Sequence, residues 1–261
     1  MKKASLIFLS VAIFFLLSNL LLKPFLELLF GNVFANNNPI ISLSIQLIPE
    51  ALFLAIFIVL NIKVFKQQLL FESYPIGKGI GIMGYSIFLL SIALILGVAR
   101  VYHTSFLLVV ISASLALLVG ITEEYIFRGM IFGAIVSKGY SLWIAISVSS
   151  VLFGLIHSVN LLHNSFYNVG LQMLYAIPMG AFFAVLYVKS GNLIYPIIAH
   201  AVQDFVSFVM SGGKINSTTT TPTGVVMDYV IFGLMIFFYL LFGKKQRDAF
   251  KEKLLIKNTN P

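Results

Sequence analysis

Two adjacent acids, Glu123 and Glu124, stand in the run Gly120-Ile121-Thr122-Glu123-Glu124-Tyr125-Ile126-Phe127-Arg128-Gly129, inside an otherwise apolar stretch. Two more runs carry ionisable side chains: Phe153-Gly154-Leu155-Ile156-His157 and His200-Ala201-Val202-Gln203-Asp204. Carboxylates and imidazoles are the usual proton carriers of general acid–base catalysis. A charged side chain at the centre of a bilayer costs about 2.5–3.5 kcal/mol on insertion scales, so each group here needs a partner and a purpose. Glu124 and Arg128 are spaced i,i+4 with the acid first, the favourable order for a helical ion pair. Glu123 points about 100° away around the same helix, so one glutamate is neutralised while the other remains available. A carboxyl group in a dry site takes a proton more readily, as a base working near neutral pH must. His200 and Asp204 share the i,i+4 spacing, which lets the acid orient the imidazole.

This set suits hydrolysis: Glu123 activating water, His157 assisting as second base or ligand, and His200 with Asp204 stabilising the oxyanion. A zinc ion held by Glu123, His157, His200 and Asp204 is compatible with the same residues, and so is metal-free water activation. No His-Glu-x-x-His, Gly-x-Ser-x-Gly or Gly-Asp pair offers a different hydrolytic centre.

The positioning elements follow from composition. The chain has 261 residues, 59% hydrophobic and 10% charged, with a mean hydropathy of +1.00. Soluble domains carry about 25% charged residues, so a single all-α polytopic membrane domain is expected. The absence of cysteine excludes disulfides and thiolate ligands. Apolar runs place eight helices at about 5–22, 39–62, 79–98, 105–136, 141–157, 169–188, 193–210 and 225–243. The fourth, at roughly 48 Å, exceeds a bilayer core of about 30 Å, so it must tilt, protrude or break, with Gly120 and Gly129 the expected sites of a break or close contact.

With the amino terminus inside, thirteen basic residues fall on inner segments, only Lys23, Arg100 and Lys214 fall outside, and Arg128 lies within a helix. That asymmetry predicts both termini cytoplasmic and explains the net charge of +8 without a nucleic-acid partner. Met1-Lys2-Lys3 before an apolar run resembles a signal peptide, with Val33-Phe34-Ala35 as a cleavage site, but the run is too long and the site too distant, so an uncleaved first helix is expected. The segment 244–261 reads as a basic cytoplasmic tail. Counted from the inner helix ends, Glu123 and His157 lie roughly 20 Å deep, Asp204 about 16 Å and His200 about 10 Å. Three helices thus aim polar groups at one layer.

Glu-Glu-x-x-x-Arg, Phe-x-x-x-His and His-x-x-x-Asp in this order resemble the CAAX protease and bacteriocin-processing family, also called Abi, of intramembrane proteases, over about residues 105–210. The resemblance implies eight helices, a pocket open to the cytoplasm, and endopeptidase chemistry in which Glu123 and His157 activate water while His200 and Asp204 serve the oxyanion, supported by Glu124 and Arg128. Asp204 stands where eukaryotic relatives carry Asn. An ionised aspartate donates no hydrogen bond, so orienting His200 or ligating a metal fits it better. Family members include metal-dependent and metal-independent readings, so zinc stays open. The implied partner is a peptide or membrane-protein substrate in a bacterial plasma membrane, with bacteriocin processing or self-immunity as the setting. A proton-coupled transporter and a catalytically silent immunity or interaction protein are the rival readings. Glu50, after Pro49 in the second span, is open between structural pairing, lining an entrance and lying nearer the surface. Asn160 and His163 read as loop residues beyond His157, and His103 and Trp143 as interfacial.

Overall fold

The structure, a computed structural model, describes residues 1–22, 24–26, 28–29, 38–84, 86–88, 91, 105–213 and 221–259. Regular structure among these residues is helical, apart from an isolated bridge between Phe71 and Asn192. In chain order come α1 (Lys2–Leu17), α2 (Pro39–Leu60), the short α3 (Ile76–Ile82), α4 (Phe106–Glu124), α5 (Leu142–Ile156), α6 (Phe166–Ser190), α7 (Ile194–Met210), α8 (Pro222–Phe242) and α9 (Lys244–Thr259). With their extensions, five helical stretches are long and apolar enough to cross a bilayer, namely Lys2–Leu26, Pro39–Phe65, Phe106–Val136, Leu142–Leu162 and Phe166–Ser190, and Ile194–Met210 and Pro222–Leu234 are shorter apolar helices. The chain is an all-α polytopic membrane protein. Half of the third expected span, 79–98, and His103 lie outside the described residues.

The overlong fourth span does not break. After Glu124 it passes into π-helix over Tyr125–Phe132 and returns to α-helix over Gly133–Val136. Such π segments often sit at functional sites. The two flanking glycines instead permit close contact. A Cβ on Gly120 would lie 2.9 Å from the Ile197 carbonyl oxygen and 3.1 Å from the Ala201 nitrogen, so α4 and α7 touch backbone to backbone. A Cβ on Gly129 would lie 2.7 Å from Leu69 Cδ2. Gly154 does for α5 and α6 what Gly120 does for α4 and α7, since its Cβ would meet the Met173 carbonyl at 2.9 Å. Gly120→Ala is therefore expected to lower stability by about 1–3 kcal/mol, the usual cost of overpacking, because main-chain atoms cannot rotate aside. Thermal unfolding in detergent measures it, and an unchanged midpoint would contradict the backbone contact.

Local chemistry sets the helix limits. Ser141 and Ser165 cap α5 and α6 by accepting from the backbone of Ile144 and Asn168, and Gly191, at φ 66°, ends α6 in the left-handed region. The main core gathers Phe127, Ile131, Phe132, Ala145, Phe153 and Tyr187 around the π segment. The basic segment after residue 244 is not an extended tail. It forms α9, whose Phe250 is buried with ring centroids 6.0 Å from Phe132 and 5.0 Å from Tyr187.

Candidate active site

Glu124 and Arg128 meet as their spacing predicts, Arg128 donating from one terminal nitrogen to Glu124 Oε1 at 2.6 Å with both side chains 0% exposed. The same oxygen accepts from His200 Nδ1 at 2.9 Å. Glu124 is thus a bridge between α4 and α7, a role that helix spacing within α4 could not reveal because it depends on the Gly120 crossing. Asp204, expected to orient the imidazole, lies on its Nε2 side. Glu124 holds the imidazole of His200, whose Nε2 edge faces Glu123 Oε2 at 3.7 Å and Asp204 Oδ2 at 3.5 Å. Glu123 and Asp204 keep side-chain exposures of 16% and 26%, while Glu124 and Arg128 are sealed.

The Arg128 guanidinium is only partly satisfied by hydrogen bonds, its Nε and second terminal nitrogen having no acceptor among the described residues. Aromatic faces supply the rest. Its carbon lies 4.5 Å from the Phe153 ring centroid and 5.4 Å from that of Phe183. Gly180 leaves room for it, since a Cβ there would come within 2.8 Å of the terminal nitrogen. Phe183 also stacks on His200 at 4.8 Å with planes 17° apart. Phe183 and Gly180 were not among the sequence candidates, and a buried Phe in an apolar helix carries no signal that would single it out. Phe153 was visible only as the first residue of its motif. Its ring edges against both imidazoles, with centroids 5.4 Å from His157 and 5.8 Å from His200.

His157 sits where α5 tightens into a 3-10 turn, and its Nδ1 bonds the Phe153 carbonyl at 2.9 Å. With Nδ1–H donated there, Nε2 carries the lone pair. Among the described residues no ion pair joins His157 to Glu123. The histidine reaches the cluster across Phe153, and Asn160 beyond it bonds Gln172 at 2.9 Å. His163 meets Asn19 at 3.2 Å and Trp143 stacks under Arg247 at 5.7 Å, both away from the cluster.

Glu50 belongs with the site. It occupies the buried stripe Leu43, Glu50, Phe53, Phe57 of α2 and is 8% exposed. One of its oxygens has no hydrogen-bond partner, and the carboxyl interacts electrostatically with Glu123, His200 and Asp204. Its burial sets aside the reading nearer the surface.

A zinc site needs three or four donors about 2.0–2.2 Å from one point. Among the described residues no group of three His, Asp or Glu side chains is arranged to hold a metal ion. Glu124 holds Nδ1 of His200 and a carbonyl holds that of His157, which leaves Nε2 of each histidine as the ring nitrogen open to a ligand. As placed, these donors are not gathered about one point at zinc-ligand distance, and no step below runs through a metal.

Residues 105–206 match the family model described as Type II CAAX prenyl endopeptidase Rce1-like, and all three motifs lie within them. The resemblance drawn from those motifs stands. A CAAX prenyl protease 2 from Arabidopsis thaliana is 28% identical over 134 residues, 47% of this chain and 40% of that protein. The putative membrane peptidase YdiL of Bacillus subtilis (strain 168) is 36% identical over 90 residues, 34% of this chain and 32% of that protein. The matches thus span less than half the length of either relative. No solved structure matches the chain.

Proposed function

We propose that this protein is an intramembrane endopeptidase in which Glu123 activates water. The observation that carries this reading is the division of labour between the two glutamates: Glu124 is sealed between Arg128 and His200, while Glu123 stays accessible beside the His200 Nε2 edge. The carboxylate of Glu123 takes a proton from water as the oxygen bonds to the scissile carbonyl carbon, and the carbonyl electron pair becomes an oxyanion. His200, in its protonated form, donates from Nε2 to that oxyanion, its ring fixed by Glu124 and Phe183. As the C–N bond breaks, the leaving nitrogen takes back the proton held on Glu123, so amide and water become acid and amine. His157, with its Nε2 lone pair, serves as the second base that orients the water. Asp204 steadies the Nε2 edge of His200 as an acceptor.

The substrate is a peptide or membrane protein entering from the bilayer. The proposed setting is bacteriocin processing or self-immunity in a bacterial plasma membrane, the first part resting on the motif resemblance and the second supported by the similarity to the Bacillus subtilis membrane peptidase. The test is to incubate purified protein with farnesylated and unprenylated peptides, with and without a chelator. Cleavage of at least one peptide, unaffected by the chelator, is expected. Failure to cleave any, together with substrate-dependent proton flux in proteoliposomes, would replace this reading with the transporter class.

A further inference from the structure

A second polar site lies at the end of the bundle that carries α9. Where α2 ends, its last turn is π-helical over Asn61–Phe65, and Lys66 then adopts the left-handed conformation at φ 50°, turning the chain into a connector that runs back along the π segment of α4. Between this connector and α9 is a pocket of about 520 Å³ lined by Lys66, Lys257, Asn61, Ile62, Gln68 and Phe71, among others. Among the described residues no carboxylate lines it. Glu72 is bonded to Lys253 at 2.7 Å, and that ammonium chiefly, with Lys257 adding a weaker attraction, holds its carboxyl below the usual range, so it is an anion whose hydrogen-bonded cation lies outside the pocket. Lys257 donates one N–H to the Leu69 carbonyl at 2.9 Å, which leaves two for a ligand. The pocket is built, too: Gln68 donates its backbone N–H to Asn258 Oδ1 at 3.1 Å, tying its two walls together.

Its apolar lip identifies the class of ligand. Ile58, Val59 and Ile62 are exposed along α2 and its extension, and Phe71 is exposed beside them, so bilayer-facing surface leads directly to two ammonium groups. We infer that this pocket binds the phosphate of an anionic phospholipid, Lys66 and Lys257 holding the phosphodiester while Ile62 and Phe71 lie along an acyl chain. The site also communicates with the acids of α4. Asn61 donates to the Gln67 carbonyl at 3.0 Å and to the Tyr125 hydroxyl at 2.9 Å, and Tyr125 is the residue after Glu124. Lipid binding thereby braces the connector against the helix that carries Glu123.

The test measures retention of labelled phosphatidylglycerol and phosphatidylcholine by the full-length protein in detergent. Phosphatidylglycerol is expected to bind preferentially, and Lys66→Gln with Lys257→Gln to weaken it about thirtyfold, following the roughly 1 kcal/mol that each basic residue contributes near an anionic surface. The pair Lys245→Gln and Lys251→Gln removes the same charge outside the pocket lining and is expected to change binding less than threefold. Equal binding of the two lipids, or an equal loss in the control pair, would overturn the site. Complete displacement of the lipid by equimolar inorganic phosphate would overturn the lipid as its ligand.

Discussion

Glu123→Gln is expected to reduce peptide cleavage by about 10²–10⁴-fold, the range that a positioned general base contributes, while the protein accumulates and unfolds as the wild type does. The amide fills the same volume and preserves contact with the His200 edge, but it cannot take a proton from water. Because the side chain is partly exposed and Glu124 already neutralises Arg128, the substitution leaves no buried charge behind. Initial rates on a cleaved peptide, compared at matched protein level, provide the measurement. A variant retaining a tenth or more of the rate would remove Glu123 from the role of base.

Arg128→Met has the opposite signature, a large loss of stability. The guanidinium is 0% exposed, and its removal leaves the Glu124 carboxylate buried with only His200 as partner. Breaking a buried pair from one side costs about 3–5 kcal/mol when the remaining charge has no compensation, and the bond from His200 offsets part of that loss here. Methionine fills the space between Phe153 and Phe183 without restoring charge. Thermal unfolding in detergent is therefore expected to show a markedly lower midpoint, and adding Glu124→Gln is expected to recover part of it. A midpoint unchanged by Arg128→Met would mean that the pair contributes little to holding the helices together.

Much of the site was legible in the sequence because its logic is local. The Glu124–Arg128 pair follows from i,i+4 geometry, and the all-α membrane class follows from composition, although five rather than eight helices among the described residues are long and apolar enough to cross a bilayer. What was hidden arises between helices. That Glu124, not Asp204, holds His200 Nδ1 depends on the Gly120 crossing, which no single-helix pattern encodes. Glu50 looked ambiguous because a lone acid after a proline has no periodic partner, yet the buried stripe of α2 carries it inward. Phe183 was invisible because aromatic residues serve equally as membrane core and as a cover for a guanidinium. The π geometry over Tyr125–Phe132 was likewise unreadable: length demanded an adjustment, and tilt, break or widening all satisfied it.

The backbone contact at Gly120 also governs which parts of these helices are open to redesign. Main-chain atoms set the spacing of α4 and α7, so the alignment of Glu124 with His200 does not depend on the identity of side chains that point into lipid, such as Leu117 and Ile198. Those outer positions can exchange one apolar residue for another to suit bilayers of different thickness or fluidity, leaving the chemistry unaltered. At Gly120 itself, a single methyl group is too much.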